Sequence, residues 1–313
     1  MHVSIIGRGA LGAVYGGLLI ASGRARVSYV VRNDRSGPPA TLRLERVETG
    51  EAFEVRPHSV CTTIDPAADV VVVTVRRENL DEALLETLGA THRPVVLLTP
   101  FFAEDLGRAR VHLEDRLVAG LAGIVAYENA AGAFRYWLPS LSATLLDATG
   151  EHPPAVRELV QAWTRAAIPV RVQADLERTA PAITMAFNPL MIALEVAGSL
   201  GALARDPLLL RIACDAVTEG RRLGQRMGTL PAPIALATGL LHPLVLRGLV
   251  PLVRVAAPEL VQYLDHHFGQ KLTAQNAQLV SQMQELARER GLETPALAQL
   301  AARAASENGS RSE

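Results

Sequence analysis

The run Gly7-Arg8-Gly9-Ala10-Leu11-Gly12 constrains this chain more than any other feature. It is a G-x-G-x-x-G that follows a short apolar run, His2–Gly7, and opens a helical stretch rich in small residues, Ala10–Ser22. A glycine triad between strand and helix lets a dinucleotide pyrophosphate approach the backbone. On that reading Gly7 makes the tight turn, Gly9 admits the phosphate and Gly12 brings the helix close to the strand. Ala10 and Leu11 then present helix N–H groups, at the positive end of the helix dipole, to the anion. The bland alternative is a tight turn with no ligand, but the strand–loop–helix context favours the ligand.

The chain beyond the loop supports an α/β domain. Short β-branched runs alternate with helical patterns: Arg26–Val31, Asp69–Val75, Pro94–Thr99, Leu117–Val125, Ser142–Leu146 and Val170–Val172 read as extended segments. The nearly all-valine run at Asp69–Val75 fits a strand buried on both faces, as in a parallel sheet covered by helices. Thr41–Val47 and Ala52–Val60 read as a hairpin about Thr49-Gly50-Glu51. After about Ala174 strand signals vanish, and helices are expected at Leu176–Leu203, Pro207–Met227, Ala257–Phe268 and Thr273–Arg290. The expected architecture is an α/β Rossmann-type N-terminal domain with a parallel-sheet core (1–173), followed by an all-α C-terminal domain (174–305) and a polar, disordered tail (306–313).

Composition narrows the function classes. With 313 residues the chain suits roughly two domains. Lys plus Arg number 31 and Asp plus Glu 32, so no basic excess points to nucleic acid. Two cysteines are too few for a disulfide framework or a zinc site and fit a reducing cytoplasm. His266 and His267 are adjacent and cannot form the i, i+4 pair of a helical zinc site, so no metal is expected. The apolar stretch Pro181–Ala204 is long enough to span a bilayer, but Asn188, Pro189 and Glu195 interrupt it and no aromatic belt flanks it. A buried helix is expected there, with a small-molecule substrate as the partner and no membrane.

The end of the second strand bears on cofactor choice. A site preferring NAD places Asp or Glu there to bind the ribose 2′-hydroxyl. This chain has Val31-Arg32-Asn33, and Arg32 is a fixed cation suited to a 2′-phosphate. NADP(H) is therefore expected, with Arg76 as a second phosphate-region candidate. A solvated strand-end arginine is the simpler alternative for Arg32.

At this point the chain resembles the ketopantoate reductase (2-dehydropantoate 2-reductase) family. The residues that carry the resemblance are the Gly7–Gly12 loop, Arg32, Val71-Val72-Val73-Thr74-Val75-Arg76, Asn188-Pro189-Leu190, Asp206-Pro207 and Gly291-Leu292-Glu293-Thr294-Pro295. The resemblance implies a Rossmann domain, a helical second domain like that of 6-phosphogluconate dehydrogenase, NADPH bound between them, and hydride transfer to a 2-oxo acid. It also implies a general-acid lysine eight residues before Asn188, an asparagine four before it, a late Thr-Glu pair and an Asn-Gly after the fifth strand. Those positions read Ala180, Thr184, Thr273-Ala274 (or Gln275, counted back from Pro295) and Pro100-Phe101-Phe102. Of the chemical set only Asn188 survives.

Alanine at 180 cannot protonate the alkoxide that hydride addition leaves, a step worth about 10²–10⁴-fold. Tyr263, His267 and Lys271 are the substitute candidates, each more often a packing or solvated residue. Asp265 could tune a neighbouring histidine, and Thr184, Asn188 and Gln275 are the substrate-binding candidates. Phe101, Phe102 and Trp137 would suit a less polar substrate if they line the site. The leading expectation is an NADPH-dependent oxidoreductase acting on a carbonyl or imine/iminium other than ketopantoate, as a possible homodimer. A catalytically silent NADP(H)-binding sensor or scaffold is the second, and 2-dehydropantoate 2-reduction with Lys271 as acid the third.

Overall fold

The computed structural model describes residues 1–32, 41–138, 142–148, 151–256, 258, 261–262, 264–265 and 273–311, with backbone only at 273–275 and 307–311. The chain divides into two compact units, Met1–Glu177 and Arg178–Glu313.

The first unit holds β1 (His2–Ile6), α1 (Ala10–Ala21), β2 (Arg26–Val30), β3 (Leu42–Arg46), β4 (Ala52–Val55), β5 (Ser59–Cys61), β6 (Val70–Val73), α2 (Glu82–Gly89), β7 (Val95–Leu97), α3 (Ala103–Leu113), β8 (Leu117–Leu121), β9 (Val125–Glu128), β10 (Phe134–Trp137), β11 (Thr144–Asp147), α4 (Pro154–Arg165) and β12 (Val170–Gln173). Its main sheet runs β12-β11-β8-β7-β6-β1-β2-β5. From β5 to β8 all pairings are parallel. Counted along the chain, those six strands stand in the doubly wound order 3-2-1-4-5-6. β11 turns antiparallel against β8, and β12 pairs parallel to β11.

The valine run is buried throughout because both faces of the sheet are covered. Val70 and Val72 pack with Val3, Ile5, Val156, Leu159 and Trp163. Val71 and Val73 point to the opposite face, as the two-residue period requires. Helix α1 has no polar face: Gly12 to Leu19 are all buried. A helix apolar all round must be covered all round. Here a second sheet, β4-β3-β10-β9, supplies the other cover. Gly16 lies against Tyr29 and Ile5 of the main sheet, and Gly17 against Leu44 of the second. Tyr15 anchors the helix by a 2.5 Å hydrogen bond to Thr144 on β11.

Several sequence expectations need correction. Ala52–Val60 is two strands: β4 stays in the hairpin, while Pro57 interrupts the run and β5 joins β2 in the main sheet. Leu117–Val125 likewise divides between sheets as β8 and β9, with Gly123 at the break. Strand β10 was not expected from the sequence; in it the buried Phe134 and Tyr136 alternate with the half-buried Arg135 and Trp137.

The second unit is helical: α5 (Leu176–Ala197, which begins in the first unit), α6 (Leu200–Arg205), α7 (Pro207–Arg226), α8 (Ala232–Gly239), α9 (Pro243–Ala256), α10 (Thr273–Glu289) and α11 (Pro295–Arg311). The single helix expected at Leu176–Leu203 is two. Gly198 takes a φ of 74°, and Ser199 restarts the chain by accepting the Ala202 N–H at 3.1 Å. Although α5 is long and apolar enough to cross a membrane, 61% of its most apolar window is buried within the protein. Pro189 has no N–H for the Met185 carbonyl, and Gly220 of α7 packs directly against that carbonyl, where a Cβ would not fit.

Two family-like motifs prove to be helix terminators. Asp206 accepts the Leu208 and Leu209 N–H groups at 3.0 and 2.8 Å, and Pro207 occupies the first turn of α7. Gly291, at φ 64°, ends α10, and Pro295 opens α11. The buried Glu219 of α7 caps α11 from the side, accepting the Ala296 and Leu297 N–H groups at 2.9 and 2.8 Å. Burial pushes the Glu219 carboxyl above its usual range, against the pull of those two N–H groups. Helix α11 runs to Arg311, into the stretch 306–313 expected as a polar tail.

Candidate dinucleotide site and the polar face of helix α5

Strands β1 and β6 lie side by side at the centre of the main sheet. The chain order reverses there, which is where doubly wound sheets bind their ligands. The Gly7–Gly12 loop leaves β1 and residues Thr74–Asn79 leave β6. Gly7 adopts φ 100°, which side chains disfavour, and donates its N–H to Val30 O at 3.1 Å. The Thr74 hydroxyl reaches the Ile6 and Gly7 carbonyls, each at 3.1 Å, and ties the two loops together. A Cβ on Gly12 would overlap the Gly7 carbonyl oxygen and stand 2.6 Å from Thr74 Oγ1.

Gly9 differs. It is exposed, its φ is −74°, and a Cβ there would meet nothing within 4 Å. Nothing in the fold of the loop demands glycine at this position. No side chain caps α1, and its first turn contains no acidic residue. Free N–H groups, an uncompensated dipole end and an open glycine form a cradle that fits a pyrophosphate.

Arg32 stands exposed just past β2 and donates to the side-chain oxygen of Asn79. Asn79 closes a turn of 3₁₀ helix, Arg77–Asn79, behind β6. Sequence reasoning missed Asn79; the available signal was a short amide side chain in the other loop at the strand-order reversal. Arg76 is also exposed, with Nη1 3.7 Å from Glu78 Oε1, so its charge is partly engaged within its own loop. Arg77 plays a different part. It makes a two-pronged ion pair with Asp105 at 2.6 and 3.0 Å and lies 5.2 Å from the centre of the Phe102 ring. Asp105 also accepts the Phe102 N–H at 2.8 Å. This lock buries Phe101 and Phe102 to 2% and 5% exposure. Both side chains are therefore buried among the residues of the first unit, so the condition that they line a substrate surface is not met by exposed rings. Trp137 sits on β10 of the second sheet.

In the helical unit, Ala180, Thr184 and Asn188 follow at four-residue steps and share one face of α5. Ala180 is buried, Thr184 is half-buried, and Asn188 is 7% exposed. The Asn188 Nδ2 is buried, with no hydrogen-bond partner among the described residues. Leaving such a donor unpaired costs about 1–3 kcal/mol, so it calls for an explanation beyond the fold. Two turns on, Glu195 accepts the Asn276 Nδ2–H of α10 at 2.5 Å in a buried bond. Tyr263, His267 and Lys271 lie outside the described residues, as does the side chain of Gln275. Asp265, expected to tune a histidine, accepts the Leu200 N–H at 2.6 Å at the start of α6.

Residues 3–135 match the family model described as ketopantoate reductase PanE/ApbA. No curated protein matches the chain. Among solved structures, a PanE/ApbA family ketopantoate reductase from Ralstonia eutropha JMP134 shares the fold with a TM-score of 0.70 at 19% identity, covering 100% of both chains. A D-mandelate dehydrogenase, solved as a ternary structure with NADH and anilino(oxo)acetate, gives 0.70 at 15% identity over 99% of both chains. A dimeric ketopantoate reductase from Staphylococcus aureus gives 0.65 at 14% identity over 99% of both chains.

Proposed function

We propose that this chain, whose residues 3–135 match the ketopantoate reductase PanE/ApbA family model, is an NADPH-dependent reductase of a carbonyl or imine/iminium substrate other than ketopantoate. The observation that carries the cofactor half is Gly9, a glycine the loop itself does not need, at the uncapped start of α1. Gly7, Gly9, Ala10, Leu11 and Gly12 would hold the pyrophosphate. Arg32, oriented by Asn79, would meet a 2′-phosphate, with Arg76 nearby in sequence on the β6 loop. Bound in reduced form, the nicotinamide supplies hydride.

The substrate half rests on Asn188. Its unpaired Nδ2 is a donor waiting for an acceptor, and a substrate oxygen would satisfy it. Thr184 offers a hydroxyl one turn earlier on the same face. Ala180 has no proton to give, so this chain cannot use the lysine that the family resemblance implies. Either Tyr263, His267 or Lys271 protonates the product alkoxide, or the substrate is an iminium, whose reduction yields a neutral amine. The D-mandelate dehydrogenase supports the general point that this fold serves substrates other than ketopantoate.

The test is titration with NADPH and with NADH, followed by turnover on a panel of 2-oxo acids, ketones and cyclic imines. NADPH binding without turnover on any member supports the second reading, a silent NADP(H)-binding protein, which the buried methyl of Ala180 favours. Ketopantoate reduction that disappears in Lys271→Met would instead establish the third. The reading extends to a homodimer, as in the Staphylococcus aureus fold neighbour. A cytoplasmic location is part of the same proposal, in keeping with a sequence of only two cysteines.

A further inference from the structure

Within the helical unit, α6 packs against α9, and a cavity of about 490 Å³ lies between them. Arg205 of α6 and Arg247 and Arg254 of α9 line it, and all three are exposed. Seven residues make close to two helical turns, so Arg247 and Arg254 share one face of α9. Ala204, Val250 and Pro251 give the cavity an apolar wall. A Cβ on Gly201 would stand 3.2 Å from Arg254 Nη1, so glycine lets that guanidinium lie close against the α6 backbone.

Three positive charges around one small cavity repel one another. Among the described residues none of the three has a carboxylate partner, and the carboxylates nearby in the fold are engaged elsewhere. Asp206, next to Arg205, accepts the Leu208 and Leu209 N–H groups and stands 3.7 Å from Arg303. Asp265 accepts the N–H of Leu200, the neighbour of Gly201. Residues 228–257 contain no Asp or Glu.

We infer that this cavity binds a soluble phosphate monoester, with its phosphoryl oxygens on the three guanidiniums and its organic part against Ala204, Val250 and Pro251. The planar guanidinium fork matches phosphate geometry and donates two parallel hydrogen bonds. A monoester carries about −1.5 to −2 charges at pH 7 and so relieves more of the repulsion than a carboxylate does. The volume lies in the range of small-molecule sites, about 300–1,000 Å³. Exposed Leu249 and Leu252 on the same helix mean that a phospholipid headgroup could bring related chemistry from a membrane. A phosphodiester headgroup, however, carries a single negative charge against three cations. Every lining residue belongs to the second unit, so the inference does not rest on the reductase reading.

Calorimetry of the full chain with phenyl phosphate, in a buffer free of other phosphates, tests the site. The expected result is one equivalent bound, with affinity at least about tenfold lower in Arg247→Gln and in Arg254→Gln and NADPH binding unchanged in both. Ala204→Glu is the second variant: its carboxylate sits among the guanidiniums, so phenyl phosphate binding disappears while the thermal midpoint holds. No binding by the native chain overturns the inference, and so does benzoate binding as tightly as phenyl phosphate. Binding that survives in the arginine variants but is lost in Arg32→Ala belongs to the cofactor loops and overturns it as well. Flotation with phosphatidylglycerol vesicles that needs Arg247 and Arg254, without phenyl phosphate binding, reassigns the arginines to a membrane and overturns the soluble ligand.

Discussion

The carbonyl oxygen of Gly7 occupies the space in which a side chain on Gly12 would begin. The two residues close the turn between β1 and α1 against each other, and the Thr74 hydroxyl seals the contact from β6. Gly9, between them in sequence, has open space instead.

That contrast separates folding from binding. Gly12→Ala forces backbone to move, so it lowers the midpoint of thermal unfolding and weakens dinucleotide binding together. Gly9→Ala leaves stability within about 0.5 kcal/mol, as surface substitutions do, yet weakens NADPH binding at least several-fold in calorimetry. Equal effects of the two substitutions on stability would show that Gly9 has a structural role.

On the proposed reading, Arg32, held by Asn79, sets the cofactor preference. A hydrogen bond to a charged group contributes about 1.5–3 kcal/mol, so Arg32→Ala weakens NADPH binding by roughly ten- to a hundredfold and leaves NADH binding nearly unchanged. Asn79→Ala has a smaller effect of the same sign. If NADH affinity falls in parallel, Arg32 does not read the 2′-phosphate.

Asn188→Leu removes an unpaired buried amide and keeps the volume close. Stability holds or rises, because replacing an unsatisfied polar group with an apolar one of similar shape removes its desolvation cost. Turnover on the best substrate of the panel falls at least tenfold. Retained turnover would return Asn188 to a purely structural part.

Glu219→Ala strands the Ala296 and Leu297 N–H groups at the start of α11. The cost is about 1–3 kcal/mol, read as a lower urea midpoint without loss of helical circular dichroism in the native baseline.

Cys214 is buried, and burial pushes its thiol from 9.0 up to about 11. Its folded value lies above its unfolded one, so its contribution to stability is complete below pH 9 and disappears as pH rises through about 11. At pH 8 a thiol reagent modifies the half-exposed Cys61 quickly and Cys214 only after unfolding. Two equally fast thiols in the native protein would contradict this burial.

Local sequence determined the parts whose causes are local. Gly7–Gly12 specifies its own turn by steric exclusion, Val70–Val73 specifies a strand covered on both faces, and Asp206-Pro207 and Gly291–Pro295 stop and start helices by capping and proline geometry. Tertiary structure decided what depends on a distant neighbour. Pro57 does not announce that β5 leaves the hairpin for the edge of the main sheet; pairing with β2 decides it. The sequence leaves open whether Phe101 and Phe102 face a ligand; their burial is decided by their surroundings, where Arg77 of the β6 loop pairs with Asp105 of α3. Asn79 became notable only when the reversal of strand order brought its loop beside Arg32. Periodicity and capping act over a few bonds, so they can be read along a chain. Burial and pairing between loops are settled only when the sheet has closed.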